Sequence, residues 1–435
     1  MRRVLVAVLV LLVMGLSDTA GASTTRPTRT PIRHFVYLMQ GDRTFDHYFG
    51  TYPGADGLPA DARQYVDPED PDSGVVAPYP LRESTPVSPG AGPRLVQRQF
   101  SGGRMDSFVS AFERQGRDGR VAMGHYDRRT LPFYWNAADR YTLFDHFFAS
   151  SLDGTRTNRA HWVTGGADLT GPTVFDGLEE AGVSWKFYVQ NYDPAKTYRT
   201  TSPSDPATQT VRVPLLDIPR FVDDPKLKSH IADLSEYYRD LEHGTLPAVA
   251  YIASSGASER SGRSIPAGQR LVRELSTQLM LSRYWDSSAL LWSYDGSGGW
   301  YDHVKPPAGR GLRVPALLVS PYAARGKVDH TRLEAASALR FVTENWGLEP
   351  LRGRASKAQS LAGAFDFDSP PRRAELIPAD AGQAALPVAR RPSPVPVYAV
   401  YGGASAVVAV LLYGAVRGQR GPVRRNGPAR ARGAS

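Results

Sequence analysis

Five stretches of this chain hold carboxylates, hydroxyls or imidazoles next to glycine: QGDRTFDHYFG (40–50), GGRMDSFV (102–109), SSLDGTRTNRAHWVTG (150–165), SGASER (255–260) and YDGSGGWYDHVKPP (294–307). Each lies where the apolar pattern breaks, so each is expected in a loop. Asp42 and Asp295, from two such loops, and a hydroxyl from a third make the smallest kit for a metal-assisted nucleophile. A bound cation lowers the hydroxyl pKa and offsets charge on a phosphoryl group. The plainer reading is Asp and Thr capping helices. The chain has no cysteine, so thiolate sites and disulfides are excluded. A metal would have to be held by oxygen or histidine nitrogen, as calcium, magnesium, manganese or zinc are.

Several elements must position these groups. Short β-rich runs are expected as strands at 34–39, 183–189, 247–253, 289–295 and 314–320. Helical patterns cover 173–182, 269–285 and 331–347. Apolar strands alternating with amphipathic helices indicate an α/β domain with a mainly parallel sheet. Ligands of such sheets bind beyond the carboxyl ends of the strands. Asp42 follows the first strand and Asp295 ends the fourth, in keeping with that rule. Residues 53–100, rich in Gly, Pro, Asp and Ser, are expected as a long irregular insertion over the sheet.

The stretches LMQGDRTFDHYFGTYPGADG, GRMDSFV, LPFYWNAADRYTLFDHFF, GTRTNR, TVFDGLEEAGVSWKFY, YDGSGGWYDHV, VPALLVSPYA, VDHTRLEAASALRFV and GAFDF occur in this order between about residues 31 and 370. In content and order they resemble the bacterial phosphoesterase family that contains phospholipases C and related acid phosphatases. The resemblance implies an alkaline-phosphatase-like, three-layer α/β fold with a mainly parallel central sheet. It implies a hydroxyl nucleophile at Thr155 and one divalent cation, with Asp42 and Asp295 as the surviving metal ligands. Arg260, Asn158, Arg43, Asp302 and His303 would bind phosphate or brace the site. For His47 and His303 structural hydrogen bonding is favoured over catalysis.

The departures from the family pattern are themselves a pattern. Gly41 stands where the family has a metal-binding Glu, and Asp42 where it has Asn. Gly296 replaces a second metal-binding Glu, and Ser297 the His after it. Arg260 and Ala335 fall at family histidines, and Thr157 at a usual Pro. Glycine has no side chain to ligate with, and three oxygen ligands hold a hard cation weakly when calcium sites take about six to eight. Two functions are therefore expected as alternatives. One is phosphate-ester hydrolysis, on a phospholipid or phosphomonoester, through a metal-activated Thr155, with Arg260 taking over phosphate binding. The other is a catalytically inactive, phosphoesterase-fold surface binding module.

The formal net charge is +9. Eight arginines lie near the two termini, and the remainder carries about +1, so the charge is no argument for nucleic-acid binding. Residues 1–22 read as a secretory signal, with two Arg, an apolar run and Ala20-Gly21-Ala22. Residues 23–368 would be the phosphoesterase-like domain and 369–394 a Pro-rich stalk. Residues 395–416 carry no charge and are expected to cross a membrane, with tyrosines toward the ends. The basic tail 417–435 would lie inside. The expected location is thus the cell membrane, single-pass, with the domain outside the cytoplasm.

Overall fold

The run HFVYLMQ forms the strand β1 (His34–Gln40), buried along almost its whole length. Both faces of a strand are covered only when helices pack on both sides of the sheet. The computed structural model describes residues 26–86, 90, 92–201, 208–260 and 263–380. Contacts divide the chain into 1–387 and 388–435, and every described residue belongs to the first unit.

The main sheet adds β2 (Thr142–Phe144), β3 (Trp185–Val189), β4 (Ile231–Asp233), β5 (Val249–Ala253), β6 (Ser288–Tyr294), β7 (Ala316–Val319) and β8 (Lys327–Asp329). Its order is β8-β2-β7-β6-β1-β5-β3-β4. Only β7 runs against the others. The five expected strands are all present. The three short ones, β2, β4 and β8, have only three residues each, too few for an alternation pattern to register.

Six helices matter for the site: α1 (Pro132–Ala138), α2 (Thr155–Thr164), α3 (Val174–Glu180), α4 (Ser235–His243), α5 (Ile265–Leu281) and α6 (Ala335–Asn345). Side chains alternate across the strands, and aromatic contacts assign the two faces. Tyr37 of β1 and Tyr251 of β5 meet Trp162 of α2, and Tyr251 also meets Phe175 of α3. Phe35 meets Phe341 of α6. On the opposite face Trp292 of β6 meets Tyr134 of α1, and Tyr188 of β3 meets Tyr237 of α4. The expected three-layer α/β arrangement with a mainly parallel sheet is what forms.

Some boundaries differ from expectation. The helix expected from Thr331 begins at Ala335, because Leu333–Glu334 pairs with Phe147–Phe148 as a two-stranded ladder and Glu334 then caps the helix. The segment 53–100 is more ordered than its composition suggests. It holds an antiparallel hairpin, Gln64–Asp67 with Asp70–Val76, and a helix, Pro93–Phe100. Leu95 and Val96 of that helix join Met105, Phe108, Phe112 and Met123 in a small core of their own.

The expected stalk is not separate from the domain at its start. Within 369–380, Ala374 and Ile377 are buried, and the Arg372 carbonyl accepts from Trp285 Nε1 at 2.9 Å. The expected location as a single-pass protein of the cell membrane is corrected. Among the described residues no helix is long and apolar enough to cross a membrane. The expected span 395–416, the tail 417–435 and the leader 1–22 lie outside the described residues.

Candidate functional site

β1 and β6 are parallel neighbours, so their carboxyl ends deliver Asp42 and Asp295 side by side. The Asp42 backbone N–H donates to Asp295 Oδ1 at 3.3 Å. Asp42 has a φ of 62°, in the left-handed region, which Asp tolerates better than most residues. Gly298 packs beneath it, where a Cβ would lie 2.5 Å from the Asp42 carbonyl oxygen. Thr155 is the first residue of α2, following Gly154 at φ 87°. It enters the same cleft with its hydroxyl and with the N–H groups of a helix start, which favour anions. The cleft is lined by Asp42, Thr155, Asn158 and Ser297, with Val96 and Leu152 on its apolar side.

One guanidinium joins the three oxygen groups. Arg260 Nη1 lies 3.0 Å from Asp42 Oδ2 and donates to Thr155 Oγ1 at 3.1 Å. Its Nη2 donates to Asp295 Oδ2 at 3.0 Å. Arg260 reaches this place over Gly41: a Cβ there would sit 3.4 Å from the Cβ, Nε and Nη2 of Arg260. A longer side chain at 41 would compete with the guanidinium for the same space. Gly296 likewise adds no ligand, and a Cβ there would be 3.6 Å from Asp42 Oδ1.

This arrangement does not fit the divalent cation that the resemblance implied. The three oxygen groups already converge on a fixed positive charge, and a cation among them would face Arg260 at contact distance. A second guanidinium reinforces the point. Buried Arg159 donates from Nε to Asp295 Oδ2 at 2.8 Å, and from Nη2 to the carbonyls of Met39 and Gln40. Burial, then the charges of Arg159 and Arg260, push the Arg212 pKa down to about 10, so it too stays charged at neutral pH. Arg159 and Arg260 thus pair with the two aspartates, and Arg212 adds a further positive charge nearby. Burial raises the Asp42 pKa, with Arg260 opposing and Asp295 adding to the rise. The local balance favours a bound anion.

The other expected residues make contacts outside this guanidinium cluster. Asn158 clamps the preceding loop, accepting from Ser151 N at 2.8 Å and donating to Ser151 O at 3.1 Å. Arg43 turns away from the cleft and donates to the Asp42 carbonyl at 2.8 Å and to Tyr48 Oη at 3.0 Å. Its guanidinium lies over the rings of Tyr48 and Trp300. His47 Nδ1 is 2.7 Å from the Gly124 carbonyl, and its ring stacks on Trp300 at 3.7 Å. Asp302 and His303 sit farther along the sheet edge. Asp302 accepts from buried Arg313 Nε at 2.9 Å, and Arg313 Nη2 donates to Asp46 at 2.9 Å. His303 Nδ1 is 2.7 Å from Asp46 Oδ2. Burial opposes its protonation, but the hydrogen bond to Asp46 raises its pKa overall.

Two kinds of functional residue escape the sequence reading. Glu259 is fully buried, at φ 58°, and accepts from the hydroxyls of Tyr48, Tyr134 and Tyr294. This cage fixes the residue beside Arg260; Glu259 lies within SGASER, but nothing in that stretch marks it as buried among tyrosines. Arg159 lies inside GTRTNR but points backward under the sheet edge, which only helical spacing from Thr155 could have suggested. Among the described residues, two groups of side chains also have ligand atoms close enough to hold a metal: Asp46, Asp302 and His303, and Asp145, His146 and His330. Neither includes Asp42, Thr155 or Asp295.

A phosphoesterase family model matches residues 32–349. Phospholipase C A of Mycobacterium tuberculosis is 27% identical over 420 aligned residues, covering 79% of this chain and 78% of that protein. A non-hemolytic phospholipase C of Pseudomonas aeruginosa is 27% identical over 408, covering 78% of this chain and 58% of that protein. Among solved structures, a phosphonate monoester hydrolase of Agrobacterium radiobacter gives a TM-score of 0.39 at 12% identity, with 78% of each chain covered, a likeness too weak to argue from.

Proposed function

Because the chain belongs to the phosphoesterase family, we propose that it cleaves phosphate esters of the phospholipid class, with Thr155 as nucleophile and Arg260 as the cation of the site. The observation that carries this reading is the single guanidinium holding Thr155 Oγ1, Asp42 and Asp295 together at a helix start. The phospholipases C among its relatives supply the substrate class.

The chemistry follows from the residues present. A phosphoryl group enters the cleft against the first N–H groups of α2. Arg260 donates to Thr155 Oγ1 and so favours its deprotonated form. Asp42 shares the same Nη1 and takes the hydroxyl proton in this reading, and burial raises its basicity. The Thr155 oxygen bonds to phosphorus while the phosphorus–alcohol bond breaks, and the alcohol leaves with the proton that Asp42 took from the hydroxyl. Water then cleaves the phosphothreonine and restores the hydroxyl. Arg260 offsets the negative charge on phosphorus throughout, while Arg159 holds Asp295 from behind.

A second reading is a module that binds the phosphoryl group without turnover. It is favoured by the same Arg260 contact, since a guanidinium that shields Thr155 Oγ1 also occupies the nucleophile. Turnover of phosphatidylcholine and p-nitrophenyl phosphorylcholine by the full chain separates the two. The proposal expects hydrolysis that Arg260→Ala lowers by about a hundredfold or more. Binding of phosphorylcholine without any hydrolysis supports the second reading instead.

A further inference from the structure

The carboxyl edge of the sheet carries a second group of chemistry-bearing side chains. β2 and β8 pair in parallel up to Phe144 and Asp329. The next residues, Asp145 with His146 and His330, emerge together one step beyond the last pair. In the sheet order this lies two strands from β6, about 10 Å along the same edge. Ligand sites of parallel sheets occupy this edge.

Asp145 is completely buried, and its carboxylate lies between two imidazoles. Oδ1 is 2.8 Å from His146 Nδ1 and Oδ2 is 2.7 Å from His330 Nδ1. The three ligand atoms are all within 4.8 Å of one another. Asp56 comes down from the loop after the first motif. Its backbone N–H donates to Asp145 Oδ2 at 2.8 Å, and its Oδ2 is 3.3 Å from His146 Nε2. A metal-binding imidazole characteristically gives its far N–H to a carboxylate, and Asp56 stands where that acceptor is needed.

The neighbouring group of Asp46, Asp302 and His303 is different. Arg313 donates to both of its carboxylates and supplies the positive charge itself. Among the described residues no guanidinium contacts the Asp145 side chain; the Arg313 contact there is to its backbone carbonyl. Carboxylate and imidazole without thiolate suit zinc.

We infer that Asp145, His146 and His330 form a zinc site, separate from the Thr155 cleft, with Asp56 orienting His146. Zinc bonds to one oxygen of Asp145 and to both Nδ1 atoms. Each neutral ring keeps its proton, carried on Nε2, and Asp56 accepts that of His146. His330 is exposed, so the fourth position opens to solvent.

The test uses the full chain, zinc chloride by calorimetry, and cobalt(II) as a spectroscopic probe. One zinc binds per chain, and His146→Ala and His330→Ala each weaken it about tenfold or more. His243→Ala, a surface histidine far along the chain, leaves binding unchanged, as does Thr155→Ala in the cleft. Circular dichroism confirms that the histidine variants remain folded. Absence of stoichiometric zinc overturns the inference. So does zinc that persists in both His146→Ala and His330→Ala, or zinc lost in Thr155→Ala.

Discussion

Arg260 carries three contacts at once, and its removal leaves Asp42 buried without its nearest cation. Breaking one side of a buried ion pair costs about 3–5 kcal/mol. Arg159 still pairs with Asp295, so the loss for Arg260→Ala is expected toward the lower end of that range. Urea unfolding measures it, and a change under about 1 kcal/mol would contradict the pairing drawn here. Asp302 gives a prediction in pH. Burial raises its pKa to about 7, against the favourable charge of Arg313. The folded chain then holds a proton that the unfolded chain releases near pH 4. Its contribution is full below about pH 4 and declines as pH rises toward 7. Asp302→Asn keeps the shape without the titration. The stability difference between wild type and variant should therefore change with pH across that window, and a constant difference would refute the assignment.

Among the elements, the loop from β5 into α5 decides where Arg260 points. Glu259 anchors it through three tyrosine hydroxyls contributed by the helix Phe45–Phe49, by α1 and by β6. Glu259→Ala would take away the shared acceptor of those hydroxyls, leaving Tyr48 Oη only the Arg43 contact and Tyr134 and Tyr294 only each other, at about 1–3 kcal/mol in all. It is expected to lower the unfolding midpoint and, by releasing Arg260, to lower turnover as well; unchanged turnover in a folded variant would sever that link. The long strands and helices were legible because each repeats its apolar period several times. The strands β2, β4 and β8 were not, since three residues show no period. The Asp145–His330 pairing depends on the neighbourhood of β2 and β8, which are nearly two hundred positions apart in the chain, and no local pattern encodes that. Asp42, Thr155 and Asp295 could be picked out as candidates from their motifs. That Arg260 would fill the space over Gly41 could not, because the gap is created in one segment and filled from another.

For the whole molecule, the sheet brings two clusters of chemistry-bearing side chains to one edge. The cleft at β1 and β6 is balanced by arginines, and the cluster at β2 and β8 is carboxylate and imidazole. Of the departures from the family pattern, Gly41, Gly296, Ser297, Arg260 and Ala335 read as losses in the sequence. In three dimensions two of them, Gly41 and Arg260, are complementary: the glycine makes room and the arginine supplies the charge. Ala335 begins α6 behind a Glu334 cap, and nothing in the structure explains its exchange for a histidine. The most direct test of the central claim is the rate of phosphorylcholine ester hydrolysis by the full chain with Thr155→Ala and Thr155→Ser. The account predicts that Thr155→Ala loses about a hundredfold or more in kcat while Thr155→Ser retains most of it. Hydrolysis by Thr155→Ala within about threefold of wild type, too small a change for loss of a nucleophile, would contradict it.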